Sequence, residues 1–300
     1  MPELPEVETI RLGLLTLLPG RVITGVESDT PKSFPNASQD VDDYLIGATV
    51  QNVDRRGKGL IIDLNTNYSL LIHLKMTGQL VFRPKHGEGF GGGHPTDSLI
   101  GSLPDRSTRL TISFEDGSKL FFNDQRKFGW MKLMPTADVP NDSFIAKLGP
   151  EALDADFTSR IFRERLARRS RTSIKAAILD QTVLAGVGNI YADEGLFYAK
   201  LHPATTVKDV STKKLNRLYQ GIREVMLLSI SLGGSSDKNY VDAEGKPGSY
   251  LKFAKVFRRE GQPCLVCGHT IQKLRVAGRG THICPHCQPL PRSRSRTVSS

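Results

Sequence analysis

The residues best suited to chemistry stand at the start of the chain, in Met1-Pro2-Glu3-Leu4-Pro5-Glu6. A small residue behind the initiator methionine lets Met1 be removed, leaving Pro2 with a free secondary amine. An α-amine has an ordinary pKa of about 8 against about 10.4 for lysine, so roughly a tenth of it is neutral at pH 7. Such an amine is a nucleophile toward a carbonyl-like carbon, with an iminium (Schiff base) as the covalent intermediate. Glu3 and Glu6 are near enough to act as acid–base partners. The same residues also suit a helix start: Pro5 in the first turn, acidic groups against the dipole, and Val7, Ile10, Leu14 and Leu18 on one face. Both readings hold together.

A second cluster is Cys264-x2-Cys267 and Cys284-x2-Cys287, which contains all 4 cysteines of the chain. That spacing suits one structural zinc ion held by four thiolates. Two disulfides are the competing reading, disfavoured inside a cell. His269, His282 and His286 lie nearby and could replace a thiolate, though four cysteines suffice. A third stretch, Ala185-Gly-Val-Gly-Asn-Ile-Tyr, places Gly186 and Gly188 before a helix capped by Asn189. A helix start with exposed amides and an Asn side chain suits a phosphate. It also reads as an ordinary glycine-rich turn.

These residues need elements to position them. Short β-rich runs at Val50-Gln-Asn-Val-Asp, Gly59-Leu-Ile-Ile-Asp-Leu, Ser69-Leu-Leu-Ile-His-Leu, Arg109-Leu-Thr-Ile-Ser-Phe and Lys119-Leu-Phe-Phe are divided by Gly, Asn and Asp turns. Two packed antiparallel sheets with the N-terminal helix alongside are expected over 1–135. Within them, the glycine-rich residues 84–108 read as a mobile loop. A linker over 136–150 leads to a helical region over 151–259, with helices at 157–168, 173–179, 190–199 and 211–231. The zinc module follows at 260–288, with Gly278-Arg279-Gly280 as a hairpin tip between two strand-like runs. Residues 289–300 read as a disordered basic tail. The fold class expected is α+β.

The net charge of +10 favours a polyanionic partner, although a ribosomal or membrane-surface protein would share it. The acidic start does not resemble a signal peptide, and no apolar run is long enough to span a bilayer, so a soluble, cytoplasmic protein is expected.

Pro-Glu-Leu-Pro-Glu-Val-Glu-Thr at the start resembles the signature of the formamidopyrimidine-DNA glycosylase and endonuclease VIII superfamily of base-excision repair enzymes. Gly-Val-Gly-Asn-Ile-Tyr-Ala is similar to its helix–two-turn–helix signature, and matching residues run in order to Cys287. The resemblance implies an N-terminal β-sandwich, a helix–two-turn–helix domain and a β-hairpin zinc finger. It implies a monomer that acts on double-stranded DNA carrying oxidised purines or abasic sites. Pro2 would be the nucleophile and Glu3 the acid–base group, with Glu6 orienting the site. Lys58 would meet the lesion nucleotide, and His73 and Asn189 its phosphates, with Lys175 adding charge beside Arg168, Arg169 and Arg171. Met76, Arg126 and Phe128 would fill the void left by an everted base. Arg279 would clamp phosphates, and residues 233–250 resemble a loop that closes over the purine.

Void-filling residues on two separated loops favour the formamidopyrimidine-DNA glycosylase branch over an endonuclease VIII-like enzyme for oxidised pyrimidines. A non-catalytic, zinc-containing DNA-binding protein is the rival from another class; Pro2 and Glu3 argue against it, since binding needs neither. The chain departs from the family pattern at Lys75, where glycine is usual, in the longer 84–108 segment and in the arginine–serine tail.

Overall fold

The computed structural model describes residues 1–87, 89–94, 96–235 and 249–290. Its elements in chain order are α1 (Leu4–Leu17), β1 (Ile23–Ser28), α2 (Ser38–Tyr44), β2 (Val50–Arg56), β3 (Gly59–Leu64), β4 (Tyr68–His73), β5 (Gly78–Arg83), β6 (Phe90–Gly93), β7 (Thr108–Phe114), β8 (Lys119–Asp124) and β9 (Trp130–Pro135). There follow α3 (Ser159–Ala167), α4 (Ile174–Leu179), α5 (Asn189–Tyr198), α6 (Thr212–Ser231), α7 (Tyr250–Phe253), β10 (Gln272–Val276) and β11 (Arg279–Ile283). They form two compact units, one of residues 1–148 with 227–253, the other of 149–226 with 254–290 among the described residues.

The first unit is a two-layer antiparallel sandwich, with strand orders β1-β7-β8-β5-β6 and β2-β3-β4-β9. Its core follows the period-2 alternation of strands: Leu70 and Ile72 of β4, Leu80 and Phe82 of β5, and Leu120 and Phe122 of β8 all point inward. Val7, Ile10 and Leu14 of α1, with Leu18 behind it, join that core, so the helical stripe does dock on the sheets. The intervening residues are covered too. Leu71 packs under Val139 and Ile145, while Val81 and Phe121 pack under Leu99. Burial on both faces explains why β4 reads as an unbroken apolar run.

The 84–108 segment departs from the expected mobile loop. Phe90–Gly93 is a buried strand, β6, paired with β5. Its glycines permit close packing: a Cβ on Gly93 would lie 2.4 Å from the Gly78 carbonyl oxygen, and Gly93 itself has φ +127. The Phe90 ring in turn occupies the space that a side chain on Gly13 of α1 would need. Leu99 then seals the outer face of the sheet.

The second unit is helical, with the β10–β11 hairpin beside it. Thr158 and Ser173 cap α3 and α4 by accepting from the amides of Ile161 and Ala176. Phe197 of α5 packs with Val256, Ile271, Cys264 and Cys284, tying the cysteine module to the helices. Residues 236–248 and 291–300, where most of the lesion-closing loop and the basic tail were expected, lie outside the described residues.

Candidate active site

In the first unit, α1 begins with reciprocal hydrogen bonds. The Glu3 amide donates to Glu6 Oε2 at 2.8 Å, and the Glu3 carboxylate accepts from the Glu6 amide. Pro2, Glu3 and Glu6 are all buried. Glu6 Oε1 also accepts from the Ser235 amide at 3.0 Å, which fixes the chain where it leaves α6. Both carboxylates are therefore held by backbone amides at the start of α1, where they and Pro2 are shielded from water.

Lys58 lies in the turn between β2 and β3, where Arg56 and Gly59 pair, and it is buried. Gly57 supplies the positive φ (58°) that closes the turn. The turn is tied to α1 by Glu8, whose carboxylate bonds Arg55 Nε at 2.8 Å and Arg11 Nη2 at 2.6 Å. Arg55 Nη1 then reaches the Gly57 carbonyl at 3.0 Å. Burial works to raise the pKa of Glu8, but hydrogen bonds and charge from the two arginines outweigh it and hold the carboxyl below its ordinary value.

His73 ends β4, opposite Gly59. Its Nδ1 accepts the Lys75 amide at 2.9 Å, and its ring meets Phe144 edge-on at 4.6 Å between centroids. Burial, then the charges of Lys75 and Lys58, push its pKa down to about 3. The ring is neutral at pH 7. Because an amide can only donate, the ring proton must sit on Nε2, which makes that nitrogen a hydrogen-bond donor. Met76 follows in the β4–β5 turn, and Arg126 and Phe128 lie between β8 and β9, with the Arg126 guanidinium 4.7 Å over the Phe128 ring. Met76 is 39 % and Phe128 46 % exposed, unusual for large apolar side chains and contrary to core packing.

In the second unit, Gly186 has φ +87 and makes the turn before α5, while Gly188 is in extended backbone. Gly188, not Asn189, is the N-cap, and Asn189 Nδ2 donates to the Gly280 carbonyl at 2.9 Å. This bond brings Asn189 next to Arg279. The hairpin turn is Ala277-Gly278, both at positive φ, so Arg279 is the exposed first residue of β11, paired with Val276 rather than at the tip. Arg168, Arg169 and Arg171 are exposed.

Lys175 is not among those surface charges. It is fully buried, and its Nζ donates to Asp193 Oδ1 at 2.6 Å, Thr281 Oγ1 at 2.7 Å and the Gly280 carbonyl at 3.2 Å. Asp193 Oδ2 accepts the His282 amide at 2.9 Å. Its neighbour Glu194 accepts the amides of Lys255, Val256 and Phe257. Burial nonetheless keeps the Glu194 pKa raised. Asp193 and Glu194, a few residues beyond Asn189 on α5, thus join that helix to the hairpin and to the turn at residues 255–257. Sequence reasoning gave neither a role.

The four cysteines are unbridged, with sulfur atoms mutually within 4.8 Å and the closest, Cys267 and Cys284, 3.4 Å apart. A zinc tetrahedron with Zn–S near 2.3 Å places sulfurs roughly 3.8 Å apart, close to this arrangement. Burial and neighbouring sulfurs push the Cys287 and Cys284 thiols up, so a divalent cation is what would let all four ionise. Four thiolates fill the coordination shell, which fits a structural ion.

Sandwich, helical unit and cysteine hairpin define a zinc-finger protein of the helix–two-turn–helix class. Family models agree in chain order: the formamidopyrimidine-DNA glycosylase N-terminal domain over residues 1–131, its H2TH domain over 148–240, and the zinc finger found in FPG and IleRS over 261–290. Formamidopyrimidine-DNA glycosylases of Listeria innocua and Desulforamulus reducens are 39 % and 40 % identical, each match covering 96 % of this chain and 100 % and 99 % of theirs. A Lactococcus lactis Fpg variant bound to Fapy-dG-containing DNA superposes with TM-score 0.84 at 34 % identity, covering 96 % of this chain and 100 % of that one. MutM in complex with carbocyclic 8-oxo-G DNA gives 0.82 at 35 %, with the same coverage. The chain belongs to the formamidopyrimidine-DNA glycosylase family.

Proposed function

We propose that this chain excises oxidised purines, 8-oxoguanine opposite cytosine and formamidopyrimidines, from duplex DNA and then cleaves the abasic site, working as a monomer in the bacterial cytoplasm. The observation that carries the reading is that Pro2, behind an exposed Met1, is buried at the start of the helix where Glu3 and Glu6 are reciprocally bonded. The capping bonds alone would serve any helix start, but a protein that only binds DNA has no need of a proline amine at that position.

With Met1 removed, the Pro2 nitrogen uses its lone pair to attack C1′ of the everted nucleotide. The glycosidic bond breaks and the base leaves with the bonding pair, taking a proton from the site. Loss of the proton on the Pro2 nitrogen and ring opening, with Glu3 shuttling protons at the sugar, give the iminium. That cation acidifies C2′–H. Its removal expels the 3′-phosphate by β-elimination, and a second proton loss expels the 5′-phosphate by δ-elimination. Glu6, already committed to the Glu3 and Ser235 amides, orients the site.

Neutral His73 donates Nε2–H to a phosphate oxygen while Lys58 supplies charge beside it. Asn189 and Arg279, joined through Gly280, grip the backbone from the second unit's own surface. Lys175 holds β11 in place rather than touching DNA. Met76, Arg126 and Phe128 occupy the gap in the stack. Cys264, Cys267, Cys284 and Cys287 would hold a structural zinc ion, which would add rigidity to the hairpin that carries Arg279.

The test is cleavage of matched duplexes carrying 8-oxoguanine or an oxidised pyrimidine. Faster excision of 8-oxoguanine, with phosphate left on both ends of a one-nucleotide gap, is expected. Preference for the pyrimidine would favour an endonuclease VIII-like enzyme, and tight binding without cleavage a binding protein.

A further inference from the structure

Met76 and the Arg126–Phe128 pair stand on loops far apart in sequence, yet one buried carboxylate holds both. Asp124 ends β8 directly opposite Gly78, the first residue of β5, and is fully buried. Its Oδ1 accepts the Thr77 hydroxyl and the Arg126 amide (3.1 Å), and its Oδ2 accepts the amides of Phe128 (2.8 Å) and Gly129 (2.6 Å). The Thr77 hydroxyl oxygen in turn accepts the Arg126 amide at 3.1 Å.

The surroundings are built to fit this carboxylate. A Cβ on Gly129 would lie 3.1 Å from Asp124 Oδ2 and from the His73 carbonyl, and a Cβ on Gly78 would lie 2.3 Å from the Leu74 carbonyl. Each loop also carries one lysine in left-handed backbone, Lys75 (φ 51) and Lys127 (φ 55). Non-glycine residues stay in that region only where neighbouring bonds hold them. Here the Lys75 amide is held by His73 Nδ1 and the Lys127 amide by the Asp124 carbonyl.

We propose that Asp124 and Thr77 clamp the two loops into one rigid wedge, so that Met76, Arg126 and Phe128 enter the DNA stack as a preformed unit. Both are positioning residues, which act through the loops they hold: Asp124 is fully buried and Thr77 half-buried. The proposal rests on the void-filling reading given above. Without the clamp, each loop has to find its geometry on the DNA during eversion. Steps that start with the sugar already exposed need no wedge and are indifferent to it.

Thr77→Val removes the hydroxyl at constant shape, Thr77→Ser restores it, and Asp124→Asn sets an amide against N–H donors. Single-turnover base excision from an 8-oxoguanine duplex is compared with strand cleavage of a single-stranded abasic oligonucleotide. For Thr77→Val and Asp124→Asn we expect a loss on the order of 10- to 100-fold on the duplex, the scale of a misplaced catalytic contact. Single-stranded cleavage stays within about twofold, and Thr77→Ser restores the duplex rate. Equal losses on both substrates, or none on the duplex, overturn the proposal. Wild-type excision of 8-oxoguanine tests the underlying reading separately. Hydrogen exchange in the DNA-free protein tests the clamp with no substrate: the Arg126, Phe128 and Gly129 amides exchange slowly in wild type and together faster in Thr77→Val. Unchanged exchange refutes it, and Thr77→Val alone carries the test if Asp124→Asn does not fold.

Discussion

Replacing Lys175 with methionine puts the buried ion pair of the second unit to a quantitative test. The ammonium donates to Asp193, Thr281 and the Gly280 carbonyl, and both it and Asp193 are fully screened from water. Methionine fills similar volume but leaves Asp193, among the described residues, with the His282 amide and ring as donors. Removing one partner of a buried pair strands the other charge, which costs about 3–5 kcal/mol. The Gly280 carbonyl and Thr281 hydroxyl lose a partner too, so the upper half of that range applies. Lys175→Met/Asp193→Asn removes both charges and should recover about half of the loss, since the asparagine oxygen still accepts the His282 amide. Denaturant unfolding followed by circular dichroism measures both variants and each single change, giving the coupling energy. A loss below about 1 kcal/mol for Lys175→Met, on the scale of an exposed pair, would refute the argument, as would strictly additive effects.

His73 supplies a pH signature. Its folded pKa of about 3 lies below its ordinary 6.5, so the unfolded chain binds the extra proton between those values and stability falls as pH drops from 6.5 toward 3. Proton NMR should show no titration of its ring between pH 5 and 8, and His73→Phe should flatten the acid limb of stability against pH. Gly13→Ala sets a Cβ 2.4 Å from the Phe90 ring and should destabilise the sandwich by about 1–3 kcal/mol, measured by thermal melting. Chelating zinc, or Cys284→Ser, should weaken DNA binding. Arg279→Ala should do so with the metal retained, lowering the salt slope of log K by about 1. Unchanged affinity in the zinc-free protein would contradict the role given to the hairpin.

How much was legible follows from how local each signal is. Residues 50–54, 59–64 and 119–122 are legible as strands because they are short β-rich runs bounded by turn residues, and α1 is legible because its apolar stripe buries one face on the core. Pro2 and Glu3 could be singled out because their chemistry depends on adjacency and on the chain end. The cysteine spacing carried the zinc reading for the same reason. Strand β6 escaped because Phe90-Gly-Gly-Gly has almost no strand propensity of its own; its pairing exists because Gly93 admits the Gly78 backbone and Gly13 admits the Phe90 ring. Lys175 was misplaced because its environment comes from Asp193 and Thr281, 18 and 106 residues away. Asp124 stands two residues before Arg126, but its partner Thr77 lies 47 residues off, so nothing local announces its role.

The central claim is that the Pro2 amine carries the chemistry. Borohydride reduces an iminium to a stable amine, so the direct measurement is trapping on a labelled duplex with 8-oxoguanine opposite cytosine, followed by mass spectrometric mapping. The account predicts one covalent adduct, on the Pro2 nitrogen of chains that have lost Met1, and none on chains that keep it. An adduct on a lysine such as Lys58, or full strand cleavage by the Met1-bearing protein, would contradict it.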